Sequence, residues 1–156
     1  LNSRYLAEAH PSVDTLLMGT SDLSKNLQVP SDSNRTGLIH LLSQCVLVAR
    51  AQKCNIIDGI FPNLENQRAY RAECSQGRLL GFDGKTLIHP SQIHYANLIF
   101  SPSSEDIANA EAVVRVWNKA SSEGKGVCIY NGRLIERLHV DEAKRLISVA
   151  QEIACR

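Results

Sequence analysis

The sequence predicts an α/β fold built on parallel strands. Two observations carry this. Short apolar runs alternate with amphipathic stretches of helical period over most of the chain, the pattern of strand-helix units with right-handed crossovers. The clearest run, Val13 to Met18, then stops at Gly19 and is followed at once by Thr20-Ser21-Asp22. A buried parallel strand that ends this way carries its polar residues at its carboxyl end, where ligands of α/β folds sit.

Taken in order, Asn2 to His10 reads as a short helix ended by Pro11. The first strand follows from Val13 to Gly19, and Leu23 to Leu27 reads as one further turn. Gln28 to Arg35 is polar, contains Pro30 and Asn34, and reads as a loop over the strand end. From Gly37 to Lys53, Leu38, Ile39, Leu41, Leu42, Cys45, Val46, Val48 and Ala49 form a broad apolar helical face, suited to packing on a sheet. Asn55 to Phe61 is the second strand, broken by Pro62.

Asn63 is the expected cap of a helix through Ala69, Tyr70 and Cys74, with Gly77 as its end. Leu79 to Phe82 is the expected third strand, and Asp83-Gly84-Lys85 a turn. Ser103, with Asp106 three residues on, opens a long helix with Ile107, Ala110, Val113, Val114 and Trp117 on one face. Ser121 to Gly126 is a linker. Asn131-Gly132 lies between Val127–Tyr130 and Arg133–Ile135, the strongest short-range hairpin signal, because both turn residues take positive φ. Asp141 is the expected cap of a last helix with Ala143, Leu146, Ile147, Ala150, Ile153 and Ala154 on its inner face. The expected sheet core is Leu16, Leu17, Ile56, Ile57, Leu80 and Phe82 against Leu42, Val46 and Val114.

Composition narrows the function classes. Hydrophobic residues make up 44% and charged residues 21% of the 156 positions, as in a globular domain. The net charge of +1 comes without a basic block, so neither nucleic acid nor an anionic membrane is an expected partner. No apolar run reaches the ~18 residues of a membrane span. The five cysteines are scattered and never in CxxC spacing, which argues for free thiols in a reducing compartment. No basic segment followed by an apolar core opens the chain. A cytoplasmic location is expected, or the mitochondrial matrix in a eukaryote. The chain begins at Leu1 without a methionine and reads as a fragment or a processed product.

Asp22 has two readings. It caps the next helix, or it is a hard oxygen ligand for a divalent cation. Three strands cannot close a barrel, which takes eight, and a free three-stranded sheet leaves two edges unpaired. The pattern reads as part of a larger sheet.

Three motifs carry a resemblance. Gly19-Thr20-Ser21-Asp22-Leu23, Ile57-Asp58-Gly59 and above all Gly81-Phe82-Asp83-Gly84-Lys85-Thr86-Leu87-Ile88-His89-Pro90-Ser91-Gln92 resemble the citrate lyase β-subunit and malyl-CoA lyase family of CoA-ester lyases, with their HpcH/HpaI aldolase-like fold. The resemblance runs over nearly the whole chain and maps to the C-terminal half of a family member. It implies the C-terminal part of a (β/α)8 TIM barrel, strands six to eight, over residues 1–120. A hairpin and helix extension over 121–156 is then expected to pack on a neighbouring subunit. It also implies a magnesium-dependent lyase that cleaves or forms a carbon–carbon bond between an acyl-CoA and a 2-oxo acid, or a relative that hydrolyses the thioester. A homo-oligomer, trimer or hexamer, is implied for the complete family protein. The other class of function considered is a non-catalytic half-barrel that binds or assembles.

Residue by residue, the resemblance makes Asp22 a Mg2+ ligand, with a glutamate partner expected just before Leu1 and a substrate-gripping arginine on an earlier strand. Backbone N–H groups around Gly19, Thr20, Ser21 and Asp22 are candidates to bind the oxo-acid carboxylate. The run Lys85 to Gln92 is a candidate for a loop beside the thioester and substrate, with Ile88, His89 and Pro90 as its substrate-binding residues; the alternative is a structural turn. His89 is expected to orient that loop rather than act as a base. Asp58 either contacts substrate or forms a solvated turn. Arg35 either pairs with a phosphate or carboxylate or is a solvated surface residue. In Gly132-Arg133-Leu134-Ile135-Glu136, Glu136 stands where the family pattern has Asp. It is the candidate catalytic acid, one methylene longer, against the reading of a surface glutamate after a strand.

Overall fold

The computed structural model describes residues 2–30 and 32–155. It divides into two compact units, Leu1–Phe100 and Ser101–Arg156.

The first unit holds α1 (Ser3–Glu8), β1 (Thr15–Leu17), α2 (Thr20–Leu27), α3 (Ile39–Ala51), β2 (Asn55–Asp58), α4 (Gln67–Leu80), β3 (Gly84–Lys85), a 3-10 turn (Pro90–Gln92) and α5 (Ile93–Phe100). The strands form one parallel sheet in the order β1-β2-β3. Leu16 pairs with Ile56, Leu17 with Ile57, and Asp58 with Lys85. All three strands therefore end on the same side of the unit, and the loops that follow them gather there.

The core lies under one face of this sheet. Ile56 is fully buried against Leu42, Val46, Ala49 and Phe82, and Leu16, Met18 and Leu80 pack around them. Successive strand residues point to opposite faces, so Leu17, next to Leu16, looks the other way and is 62% exposed. This corrects its expected place in the core. Val114 also lies elsewhere, in the cluster of the second unit.

The third strand is displaced from its expected position. Leu79 and Leu80 are the last residues of α4, and Gly81 ends that helix in a left-handed conformation, φ 97°. A short apolar run cannot be told from the buried end of a helix by periodicity alone. The strand is Gly84–Lys85, inside the segment expected to be a turn. Gly77 does not end α4 but lies buried within it. The cap of α4 is Asn66, whose side chain accepts the Ala69 N–H at 3.0 Å. Asn63 closes the turn before it, accepting the N–H groups of Glu65 and Asn66. Between Gly19 and Gln28 there is a full helix, α2, rather than a single turn from Leu23.

The second unit holds α6 (Ser104–Ser122), β4 (Cys128–Tyr130), β5 (Arg133–Ile135) and α7 (Arg137–Ala154). Ser103 and Asp106 form the expected capping box of α6. Asn131 at φ 47° and Gly132 at φ 73° make the hairpin turn between antiparallel β4 and β5. Ala110 and Val113 of α6 pack with Ile135, Val140 and Ala143. Residue 120, the expected domain boundary, falls inside this unit, near the end of α6. Helix α7 starts four residues before Asp141, so Glu136 takes the cap position. Its N–H donates to His139 Nδ1 at 3.1 Å. Among the described residues, no helix is long and apolar enough to cross a membrane.

Candidate functional site

Strand β1 hands over to α2 without a spacer. Met18 N–H still donates to the Ile57 carbonyl at 3.0 Å, and Gly19 is already the helix cap. Gly19 offers no side chain, so among the described residues the first-turn N–H groups of α2 have no side-chain acceptor. Together with the helix dipole they make a partial positive end facing the loops. Asp22 is the third residue of this turn. Its side chain is exposed, and its carboxylate has no hydrogen-bond or ion-pair partner among the described residues. Thr20, by contrast, is buried. A Cβ placed on Gly59 would fall 2.1 Å from Thr20 Oγ1, so only glycine lets the end of β2 lie this close to α2.

Beneath these loops lies a buried ionic cluster. Asp58, at the end of β2, is fully buried. Both of its carboxylate oxygens accept hydrogen bonds from Arg35 Nη1 at 2.8 Å. Oδ2 also accepts from Lys85 Nζ at 3.3 Å, and Oδ1 from the Gly59 N–H at 2.8 Å. Lys85 Nζ donates further to Glu73 Oε1 at 2.7 Å and to the Gly59 carbonyl at 2.8 Å. Arg35 Nε donates to Gln76 Oε1 at 2.7 Å, and the Gln76 amide donates to the Asn34 carbonyl at 2.6 Å. Two cations and two carboxylates thus compensate one another in a place poor in water, which is how buried charges are tolerated.

The cluster ties the 32–36 loop, β2, α4 and β3 together. It overturns the solvated readings of both Arg35 and Asp58. Arg35 does grip a carboxylate, but that carboxylate belongs to the protein. To reach it, Arg35 takes a left-handed backbone conformation, φ 53°, which costs on the order of 1 kcal/mol for a residue with a Cβ.

A cavity of about 240 Å³ opens beside the first turn of α2. Thr20, Ser21 and Arg35 line it; Gly19 and Asp22 do not. The loop after β3 forms a separate feature. Its centre, Ile88-His89-Pro90, is exposed and does not line the cavity. His89 Nδ1 accepts the Ser91 N–H at 3.2 Å and lies 2.8 Å from Ser91 Oγ, so the ring holds the local turn. The loop is anchored by Gln92, which is 1% exposed. Gln92 Oε1 accepts the Ile88 N–H at 3.0 Å, its amide donates to the Phe61 carbonyl at 2.9 Å, and its own carbonyl accepts the Tyr70 hydroxyl at 2.8 Å. Burial pushes the Tyr70 hydroxyl well above the usual phenol range.

Sequence reasoning missed Glu73 and Gln76 as site-building residues, and it read the run Lys85 to Gln92 as a loop beside the thioester without making Lys85 and Gln92 its buried anchors. Lys85 and Gln92 lay within the long motif. Their signal was a polar residue at a strand position and just before an apolar helix. Glu136 belongs to the second unit, half-buried at the start of α7.

The metal expected from the resemblance can be tested against these donors. Magnesium takes hard oxygens and keeps several waters, with one or two carboxylates from protein. The unpaired, exposed Asp22 carboxylate fits as one such ligand. Among the described residues, no group of three His, Cys, Asp or Glu side chains could hold a metal.

The family profile described as HpcH/HpaI aldolase/citrate lyase matches residues 1–90. A (3S)-malyl-CoA thioesterase of Cereibacter sphaeroides is 40% identical over 99% of this chain and 54% of its own length. The citrate lyase subunit beta of Haemophilus influenzae is 29% identical over 96% of this chain and 51% of its own. The chain spans about half the length of the curated relatives it matches. Among solved structures, the Mycobacterium tuberculosis protein CitE, in complex with magnesium, acetoacetate and coenzyme A, superposes with a TM-score of 0.73 at 26% identity. The match covers 96% of this chain and 56% of CitE. With a mixed α/β fold matching CitE and a family profile matched over more than half its length, the chain belongs to the HpcH/HpaI aldolase/citrate lyase family.

Proposed function

We propose that this chain forms the C-terminal part of a magnesium-dependent enzyme that cleaves or forms a carbon–carbon bond between an acyl-CoA and a 2-oxo acid. The observation that carries the reading is the uncapped first turn of α2 with its unpaired Asp22 carboxylate, set at the carboxyl end of a parallel strand. In this reading the three strands are barrel strands six to eight. Leu17 and Ile57, in register on the face turned away from the core of α3, line the barrel interior. Such a barrel places its site at the ends of its strands.

Bound magnesium would polarise the 2-oxo group and stabilise negative charge on its oxygen. Asp22 is the residue of this chain that would hold the ion. The Gly19, Thr20, Ser21 and Asp22 backbone orients the oxo-acid carboxylate through first-turn N–H donors. Ile88, His89 and Pro90 border the thioester and limit water at the reacting carbon. Glu136 reaches a neighbouring copy's site from the second unit of the chain and carries the proton at the acyl α-carbon, which makes a homo-oligomer part of the proposal.

A thioesterase is the second reading, favoured by the 40% identity to a malyl-CoA thioesterase against 29% to a citrate lyase β-subunit. The same site would then direct water to the thioester carbonyl. One assay separates the two. The native protein, supplied with malyl-CoA and Mg2+, gives glyoxylate and acetyl-CoA without free thiol if it is a lyase. Free CoA thiol with malate, and no glyoxylate, identifies the thioesterase. Neither product, with Mg2+ present, overturns both.

A further inference from the structure

The turn Pro90–Gln92 joins the loop after β3 to α5, and Gln92 at its end is 1% exposed. Its side chain serves two loops. Oε1 accepts the Ile88 N–H at 3.0 Å, and the amide donates to the Phe61 carbonyl at 2.9 Å, in the loop after β2. One partner is a donor and the other an acceptor, so one orientation of the amide satisfies both. Ionised glutamate would face the Phe61 carbonyl with a second acceptor, and methionine or leucine would serve neither partner. The Gln92 backbone is fixed as well. Its N–H donates to the His89 carbonyl at 3.0 Å, and its carbonyl accepts the Tyr70 hydroxyl at 2.8 Å. Tyr70 is itself 1% exposed, and its ring lies 5.6 Å from that of Phe61.

We infer that Gln92 is a positioning residue, which acts through Ile88 and Phe61 to hold the exposed Ile88-His89-Pro90 segment in one geometry before substrate arrives. The inference rests on the function proposed above, in which that segment borders the thioester. Ile88 is 47% exposed, and His89 and Pro90 are exposed too. A segment with so little apolar burial is not held by packing, and such segments open locally at small free-energy cost. Burying an amide is unfavourable unless both of its ends are paired, and an apolar side chain would fill the same space without that demand. A fully satisfied buried polar group does something an apolar one does not: it specifies a single arrangement of its partners. Here the partners are backbone groups of the loops after β2 and β3, both at the carboxyl ends of the strands. Order that exists before binding reduces the entropy lost on binding. The tether therefore shows in the affinity for substrate.

The test follows turnover of malyl-CoA by the native protein with Mg2+, read as glyoxylate or free thiol, together with hydrogen exchange at the Ile88 amide. Gln92→Met keeps the length of the side chain and removes both amide contacts. Tyr70→Phe keeps the ring against Phe61 and removes the hydroxyl from the Gln92 carbonyl. Gln92→Met is expected to raise KM for malyl-CoA about tenfold and Tyr70→Phe about threefold, the scale of one or two lost hydrogen bonds. Ile88 is expected to exchange faster in Gln92→Met than in the wild type. Loss of folded protein lowers apparent kcat and leaves KM where it was, so the shift in KM is the readout that a purely structural role does not move. An unchanged KM in Gln92→Met overturns the positioning role, whatever happens to kcat, and leaves the CoA-ester reading standing. Ile88 exchange as slow in Gln92→Met as in the wild type overturns it too, because the amide then holds nothing. Should Gln92→Met fail to fold, the KM of Tyr70→Phe decides alone. A wild type that turns over no malyl-CoA removes the CoA-ester reading and the positioning role together; fast Ile88 exchange in Gln92→Met would then mark a tether of the fold only.

Discussion

A Cβ added to Gly77 would lie 2.8 Å from Asp58 Oδ2. The glycine sits in the last turn of α4, inside a helix, where alanine is ordinarily favoured by about 1 kcal/mol. Here it clears space for a buried carboxylate that two cations hold in place. Gly77→Ala is expected to destabilise the protein by up to about 2 kcal/mol, the cost of overpacking a filled site less the helical gain. Denaturant unfolding checks this, and a stabilised variant would show that the carboxylate moves freely.

The cluster around Asp58 makes a second prediction. Asp58→Ala leaves Arg35 and Lys85 buried with only Glu73 between them. The expected loss is about 3–5 kcal/mol, as for removal of one partner from a buried ion pair. Lys85→Met in the same background is expected to recover part of that loss, because it removes a charge that no longer has its partner. Additive losses in this double-mutant cycle would show that the two residues act independently.

How much of this was legible in the sequence depended on distance along the chain. The hairpin was readable because Asn131 and Gly132 encode their own φ values. The Ser103–Asp106 cap was readable for the same local reason. Lys85 was not, since a glycine-lysine pair has poor strand propensity and its place in β3 is set by Asp58, 27 residues away, and Glu73. Leu79 and Leu80 read as strand because an apolar pair before a glycine fits either a strand or a helix end. The polar character of Gly19 to Asp22 was plain. Which of these residues lines a cavity was not, because Arg35 and Ile60 come from loops that only the fold brings together.

Asp22 separates chemistry from stability. Its carboxylate has no partner among the described residues and is exposed. In the complete enzyme, Asp22→Asn is expected to lower Mg2+-dependent turnover by about 100-fold or more, the scale for losing a preorganised electrostatic contact, while the melting temperature stays unchanged. Wild-type turnover at saturating Mg2+ would sink its role as ligand.

Alkaline pH supplies a fourth test. Cys74 is fully buried, and burial pushes its thiol above the usual range; Tyr70 is raised for the same reason. Folding therefore favours the neutral form of both. The stability they contribute is fully present below their unfolded pKa values and is lost as pH rises through the raised folded ones. Unfolding free energy is expected to fall above the thiol's ordinary range, less steeply in Cys74→Ala. At neutral pH, exposed Cys155 is expected to alkylate readily and buried Cys54 and Cys74 only after unfolding. Rapid labelling of Cys74 in the folded protein would contradict its burial.

The last prediction concerns the sheet. Strand β1 pairs with β2 alone, and β3 likewise, so both outer edges lack a strand partner among the described residues. Leu17 is 62% exposed beside one of these edges, and Leu79 of α4 is 88% exposed. Unpaired edges next to apolar surface template association with further strands. In the proposed reading Asp22 is the carboxylate turned toward magnesium, and a single carboxylate holds that ion weakly without a second protein oxygen or substrate. Produced as residues 1–156 alone, it is expected to self-associate in light scattering and to show no carbon–carbon cleavage of malyl-CoA at any Mg2+ concentration. Positioning supplies much of the rate in such reactions, and one donor with an open sheet cannot position two substrates. Turnover by a monomeric preparation of residues 1–156 would show that three strands and their loops suffice, and would replace the partial barrel with a self-sufficient open sheet.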